Sequence, residues 1–155
     1  MAQSAQLYTP DQRRRRDNTH WTTIQGVLAI VQFFVFLVSL ALVIRYLAMG
    51  LGYQAATGSI IVKTGCLLTI MVTGAIWEKV VFGQYLFAPA FFWEDVVSML
   101  VIALHLAYVW TLLAGASAQT QMWVALAAYA VYVVNAAQFL WKLRRARHDA
   151  EAAPS

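Results

Sequence analysis

The chain has 155 residues, 61% of them hydrophobic, a formal charge of +4 and a mean hydropathy of +0.63. A soluble domain of this length cannot bury so much apolar surface, so a water-soluble fold is excluded and a membrane protein is indicated. No basic helix face interleaved with aromatics is present, which excludes nucleic acid as a partner, and the single cysteine, Cys66, excludes an intramolecular disulfide and the paired-thiol zinc and redox motifs.

Residues 1–20 are polar and carry Arg13-Arg14-Arg15-Arg16-Asp17. Such a block cannot build a core, so the expectation is a cytoplasmic tail that is solvated or lies on an anionic membrane surface. The following apolar run is too long for a signal peptide, and no small-x-small cleavage site follows it. The first span is placed at 21–47. Within it Gln25, Gln32, Ser39 and Tyr46 recur every seven residues, forming a slowly winding stripe that should face other helices.

Residues 49–59 form an uncharged connector with Gly50, Gly52 and Gly58, and a second span is placed at 59–79. Lys63 lies one turn inside that span and is expected to snorkel to the interface. The third span is placed at 91–113, and its apolar run from Val96 to Leu113 holds His105 as its notable ionisable residue. An uncharged polar turn at 114–121 leads to a fourth, alanine-rich span at 122–141, on which Asn135, Gln138 and Lys142 share a face, the first two pointing inward. The remainder, 142–155, is a basic cytoplasmic tail with a frayed end.

Each apolar run approaches the ~20 residues that cross about 30 Å of hydrocarbon. The expected fold is therefore all-α, an integral membrane bundle of four transmembrane helices. Four Lys or Arg precede the first span, four follow the fourth and Lys79 lies between the second and third, whereas the opposite side has only Arg45. Both termini should be cytoplasmic.

Residues 77–95, WEKVVFGQYLFAPAFFWED, form the connection between the second and third spans. Seven of these nineteen residues are aromatic (Trp77, Phe82, Tyr85, Phe87, Phe91, Phe92, Trp93), and Glu78, Glu94 and Asp95 are three of the seven acids in the chain. Ala88 before Pro89 is biased away from helix, so a broken connection at 88–89 is expected, with the third helix starting at Ala90 or Phe91. Non-helical backbone at this depth needs protein or water cover, which points to a cavity. Carboxylates beside an aromatic-lined break suit acid chemistry on a planar apolar ligand, since partial burial brings a carboxyl toward the working range of a general acid.

Simpler roles compete. Glu94 and Asp95 also satisfy the macrodipole at a helix start, and being adjacent they diverge by about 100°, so one of them is expected to face inward. Glu78 and Lys79 can be an interfacial pair. His105 lies about three turns beyond Glu94 on the same face, either as an axial metal ligand or proton carrier, or as a neutral histidine bonded to a neighbouring helix. No protein-bound metal site, nucleophile elbow, phosphate loop or dinucleotide fingerprint is visible.

The segments RRRRDNTHWTTIQG (13–26), QFFVFLVSLALVIRYL (32–47), WEKVVFG (77–83), LFAPAFFWED (86–95) and YVVNAAQFLWKL (132–143) resemble the 3-vinyl bacteriochlorophyllide hydratase family, over nearly the whole chain. The resemblance implies a hydro-lyase of bacteriochlorophyll a synthesis in the inner or intracytoplasmic photosynthetic membrane of a bacterium. Such an enzyme adds water to the 3-vinyl group of chlorophyllide a or its bacteriochlorin counterpart to give the 3-(1-hydroxyethyl) product. The implied partners are the (bacterio)chlorophyllide, water and lipid, with association with other pigment-synthesis enzymes left open. No cofactor is expected, since the magnesium belongs to the substrate.

On this reading Glu94 is the acid and Glu78 or Asp95 the base that orients water. Trp77, Phe87, Phe91, Phe92 and Trp93 stack on the ring, Lys79 or Arg16 meets the propionate, and His105 approaches the substrate magnesium. The alternative from another class is a non-catalytic pigment-binding or assembly protein, in which the acids merely cap a helix. A transporter with Lys63, His105 and Asn135 lining a path is weaker, because the polar groups form no ladder across the membrane.

Overall fold

The computed structural model describes residues 6–152. Five helices follow in order: α1 (Pro10–Asn18), α2 (His20–Met49), α3 (Tyr53–Phe82), α4 (Phe92–Leu113) and α5 (Ala118–Ala152), with a single 3₁₀ turn, Pro89–Phe91, ahead of α4. Each of the last four is long and apolar enough to cross a membrane. The protein is an all-α, multi-pass membrane protein. Side chains such as Phe34, Val38, Val72 and Leu113 stand mostly exposed on the outside of the bundle, as lipid-facing residues must.

The bundle is two antiparallel hairpins, α2 against α3 and α4 against α5, joined by α2–α5 and α3–α4 packing. Its core runs through Phe36, Val43, Ile60, Val101, Tyr108, Met122 and Tyr129. The heptad stripe of α2 faces its neighbours as its spacing predicts. Gln25 donates to Thr73, Ser39 lies 2.7 Å from the Ser59 hydroxyl and 2.6 Å from that of Tyr129, and Tyr46 meets the Tyr53 ring. Gly74 admits the Gln25 amide, whose oxygen would lie 3.2 Å from a Cβ at that position.

Three segments depart from the sequence reading. The connector placed at 49–59 is only Gly50–Gly52, because left-handed Gly50 and Gly52 turn the chain at once and α3 starts at Tyr53. That extension moves Lys63 about 15 Å into the helix. Its ammonium cannot reach the interface, and it lies fully buried 3.7 Å from the centroid of the Tyr132 ring. Within the described residues the tails also differ, for α5 continues as helix to Ala152 and Leu7 and Tyr8 dock on the bundle, while the rest of the expected frayed end, 153–155, lies outside them.

Leu7 and Tyr8 are buried with Val81, Phe91 and Ala146 in a second cluster. A capping box explains how a basic peptide folds there. The Thr9 side chain accepts from the Gln12 amide at 3.2 Å, Gln12 Oε1 accepts from Thr9 N–H at 2.9 Å, and Pro10 sits at the first helical position. Arg15 then donates twice, at 3.0 and 2.8 Å, to the Val81 carbonyl at the end of α3, where a cation suits the helix dipole. Burial raises the Tyr8 phenol above its ordinary value, offset in part by the Arg16 guanidinium 4.6 Å from its ring centroid.

Candidate active site

The connection between α3 and α4 is broken as its proline predicts. Gly83, at φ 84°, ends α3 and donates to the Lys79 carbonyl at 3.0 Å. The chain then runs irregularly to the 3₁₀ turn at Pro89. Phe87 takes φ 60°, a left-handed conformation that is costly for an aromatic residue and that persists only when its surroundings hold it. What holds it is Asp95, whose Oδ2 accepts the Phe87 N–H at 2.9 Å, while Glu78 Oε2 lies 3.4 Å from the Ala88 amide.

All three carboxylates of the connection are buried, Glu78 at 4%, Glu94 at 6% and Asp95 at 5% exposure. The sequence predicted that only one of the adjacent pair would face inward. Both do, because the connection folds back over the side of α4 that Asp95 occupies. Asp95 and Glu78 are neighbours there, holding the adjacent amides of Phe87 and Ala88. Glu94 points the other way, toward α5, with Lys142 Nζ 3.5 Å from its Oε1 and also donating to the Ala90 carbonyl. Behind it, Asn135 Nδ2 donates to the Glu94 carbonyl at 3.0 Å and Ser98 Oγ lies 3.0 Å from Asn135 Oδ1, which locks the start of α4 to α5.

Lys142, Asn135 and Ser98 belong to this site and were absent from the residues proposed for it. The shared face of Asn135, Gln138 and Lys142 was the available signal. Only the α4–α5 pairing shows that this face meets Glu94.

The aromatic residues do not make one surface. Trp77, Phe82 and Phe91 pack edge to face inside the bundle end at centroid separations of 5.6–5.8 Å, with Tyr8 stacked on Phe82 at 5.7 Å. Trp77 is further tied to α2 by its indole N–H on Thr22 at 2.9 Å. By contrast, Phe87, Phe92 and Trp93 form an outer set, in mutual contact and 38%, 42% and 68% exposed. Outward aromatic rings near the end of a membrane bundle are favoured at the level of the lipid headgroups.

Two other sequence candidates stand apart from the carboxylates. Lys79 is exposed and donates to the Gly83 carbonyl at 3.0 Å, capping its own helix. His105 lies eleven residues along α4 from Glu94, a rise of about 16 Å. His105 Nδ1 bonds the Val101 carbonyl at 2.8 Å and Nε2 has no partner, in the same buried region as Lys63 and Tyr129.

A cavity of about 350 Å³ adjoins the site where the N-terminal segment crosses Phe82, Pro89, Ala90 and Lys142. Among the described residues no group of three or more His, Cys, Asp or Glu is arranged to hold a metal ion.

Comparison with known proteins bears on what this site does. The family model described as 2-vinyl bacteriochlorophyllide hydratase matches residues 8–145. A protein of that name from Cereibacter sphaeroides is 69% identical over 95% of this chain and 92% of its own length. One from Rhodobacter capsulatus is 66% identical over 93% of this chain and 84% of its own. No solved structure matches significantly.

Proposed function

The chain belongs to the 2-vinyl bacteriochlorophyllide hydratase family, and from that premise we propose that it adds water across the vinyl substituent of chlorophyllide a or 3-vinyl bacteriochlorophyllide a, giving the 1-hydroxyethyl derivative during bacteriochlorophyll synthesis. The "2-vinyl" and "3-vinyl" of the two family names number one substituent in two tetrapyrrole schemes. The observation that carries the assignment of the site is the burial of Glu78, Glu94 and Asp95 together at one broken connection, with a cation on Glu94 alone.

Hydration of a vinyl group needs a proton on the terminal carbon, a cation tolerated on the carbon next to the ring, and a water molecule that attacks that carbon and then loses its proton. The macrocycle delocalises the cation, so the protein must supply an acid, a base and exclusion of bulk solvent. Two buried neighbouring carboxyl groups repel each other when both are ionised, so the Glu78–Asp95 pair is assigned as the proton donor. Glu94, facing the Lys142 ammonium, is the carboxylate that orients water and takes its proton. This allocation reverses the one read from the sequence, which had no means of placing Lys142. After one turnover the proton gained by Glu94 returns to the pair, and the sum is substrate plus water.

Phe87, Phe92 and Trp93 receive the ring from the lipid side, and Trp77 and Phe91 support the connection from beneath. No resident cofactor enters these steps; the magnesium is the pigment's own. The basic ends of α1, α3 and α5 lie at one end of the bundle, and Arg45 folds over the α2–α3 turn at the other. On that distribution both termini are cytoplasmic, in the inner or intracytoplasmic photosynthetic membrane.

A second reading has a specific observation in its favour. The bonds from Asp95 to Phe87 and from Glu78 to Ala88 are what a purely structural pair would make in a pigment-binding or assembly protein. Membranes containing the protein, incubated with chlorophyllide a in oxygen-18 water, separate the two. Labelled hydroxyethyl pigment is the expected result, and its absence while pigment still binds would leave the carrier.

A further inference from the structure

The three carboxylates are 4–6% exposed, and a rigid macrocycle cannot thread the gaps that such burial leaves. Some element must therefore move before the vinyl group of a pigment meets Glu94. We propose that residues 6–8 are a displaceable cover on this site, closed in this structure and swung aside when the pigment binds. The proposal rests on the hydratase reading, which supplies a ligand too large and stiff for the closed form.

Leu7 and Tyr8, 7% and 6% exposed, lie over the site without taking part in its chemistry. Leu7 lines the cavity of about 350 Å³ together with Phe82, Pro89, Ala90 and Lys142, and Lys142 is the cation on Glu94. Tyr8 covers Phe82, its ring 5.7 Å away and nearly parallel at 14°, and reaches Phe91 at 6.3 Å. A planar ligand can take the place of that ring at little cost, because one stacking contact is exchanged for another. The Leu7 N–H fastens the cover to α5 by donating to Asp149 Oδ2 at 3.0 Å.

The other element that could move is the connection between α3 and α4. Lifting it would break the bonds from the Phe87 and Ala88 amides to Asp95 and Glu78, and so take the acids out of place. Moving residues 6–8 breaks neither. The pivot is also defined. Thr9 is extended at ψ 162°, and from it onward the chain is fixed by the capping box with Gln12 and by the Arg15 bonds to the Val81 carbonyl. Residues at the end of a fixed element are where lids hinge.

The test uses the full-length protein in nanodiscs, in a Cys66→Ala background. Leu7→Cys is labelled by a water-soluble maleimide with and without saturating chlorophyllide a, whose binding is followed by fluorescence. Labelling should be about tenfold faster with pigment bound, because the ligand draws the population toward the open form. Leu7→Cys and Ala146→Cys, at positions that share the buried cluster, are then joined by a short cleavable bis-thiol reagent. Hydration should fall at least about tenfold on bridging and return when the bridge is reduced. Labelling that pigment leaves unchanged overturns the proposal, as does a bridged protein that hydrates at the unbridged rate. Failure of the hydratase reading looks different: the unbridged protein then yields no hydroxyethyl pigment, while labelling still reports whether the cover opens.

Discussion

Glu94 and Lys142 form the pair on which the proposed chemistry turns, and their separation of 3.5 Å inside the bundle end makes each sensitive to loss of the other. Glu94→Gln removes the base without changing shape and should lower the hydration rate at least 10²-fold, measured by chromatography of the pigment product, with the melting temperature little changed. Lys142→Met leaves a buried carboxylate without its cation and should cost both activity and stability, whereas Lys142→Arg should recover part of each. Asp95→Asn is more discriminating, because the amide oxygen still accepts the Phe87 N–H and keeps the connection folded. A variant with native melting behaviour and strongly reduced turnover supports Asp95 as half of the proton donor; unchanged turnover would sink that role. Lys63 offers the opposite case. Its ammonium has no hydrogen-bond partner and rests on the Tyr132 ring, so Lys63→Met should keep the hydration rate within about twofold and raise the melting temperature.

Helix ends, more than helix interiors, decide the geometry of the site. α3 stops at Gly83 because the chain turns left-handed there, and no atom lies within 4 Å of where a Cβ would stand. Gly83→Ala therefore meets no clash, and its cost of about 1 kcal/mol should come from the backbone alone. A thermal melt in detergent should show the drop, while Gly58→Ala, in open space inside α3, should hold or raise the midpoint. The Arg15 bonds to the Val81 carbonyl act at the same helix end from outside. They couple α1 to the terminus from which the connection departs, so a segment read as tail is part of the scaffold of the site.

Across the whole molecule, charge and burial are separated by level. The three buried acids, the docked N-terminal segment and the end of α5 gather at one end, the middle is core and lipid-facing surface, and the far end carries the short turns at Gly50–Gly52 and Gly115. In a Cys66→Ala background, Arg147→Cys should react with an impermeant thiol reagent only from the cytoplasmic side and Ser117→Cys only from the other. Both sites reacting from one side would overturn the four-crossing arrangement with cytoplasmic ends.

The all-α membrane class, the number of spans, the inward stripe of α2 and the break at Pro89 were legible in the sequence, because hydrophobic length, heptad spacing and proline sterics act within a few turns of one helix. The family likeness was legible too, in the WEKVVFG and LFAPAFFWED segments. What tertiary structure decided were relations between elements: Lys142 against Glu94, Glu78 against Asp95, the division of the aromatics into an inner and an outer set, and Leu7 and Tyr8 folded under α5. Lys63 shows the reason most plainly. Where a charge lies in a membrane depends on where its helix begins, and that was set by two glycines whose left-handed turns no hydropathy window detects.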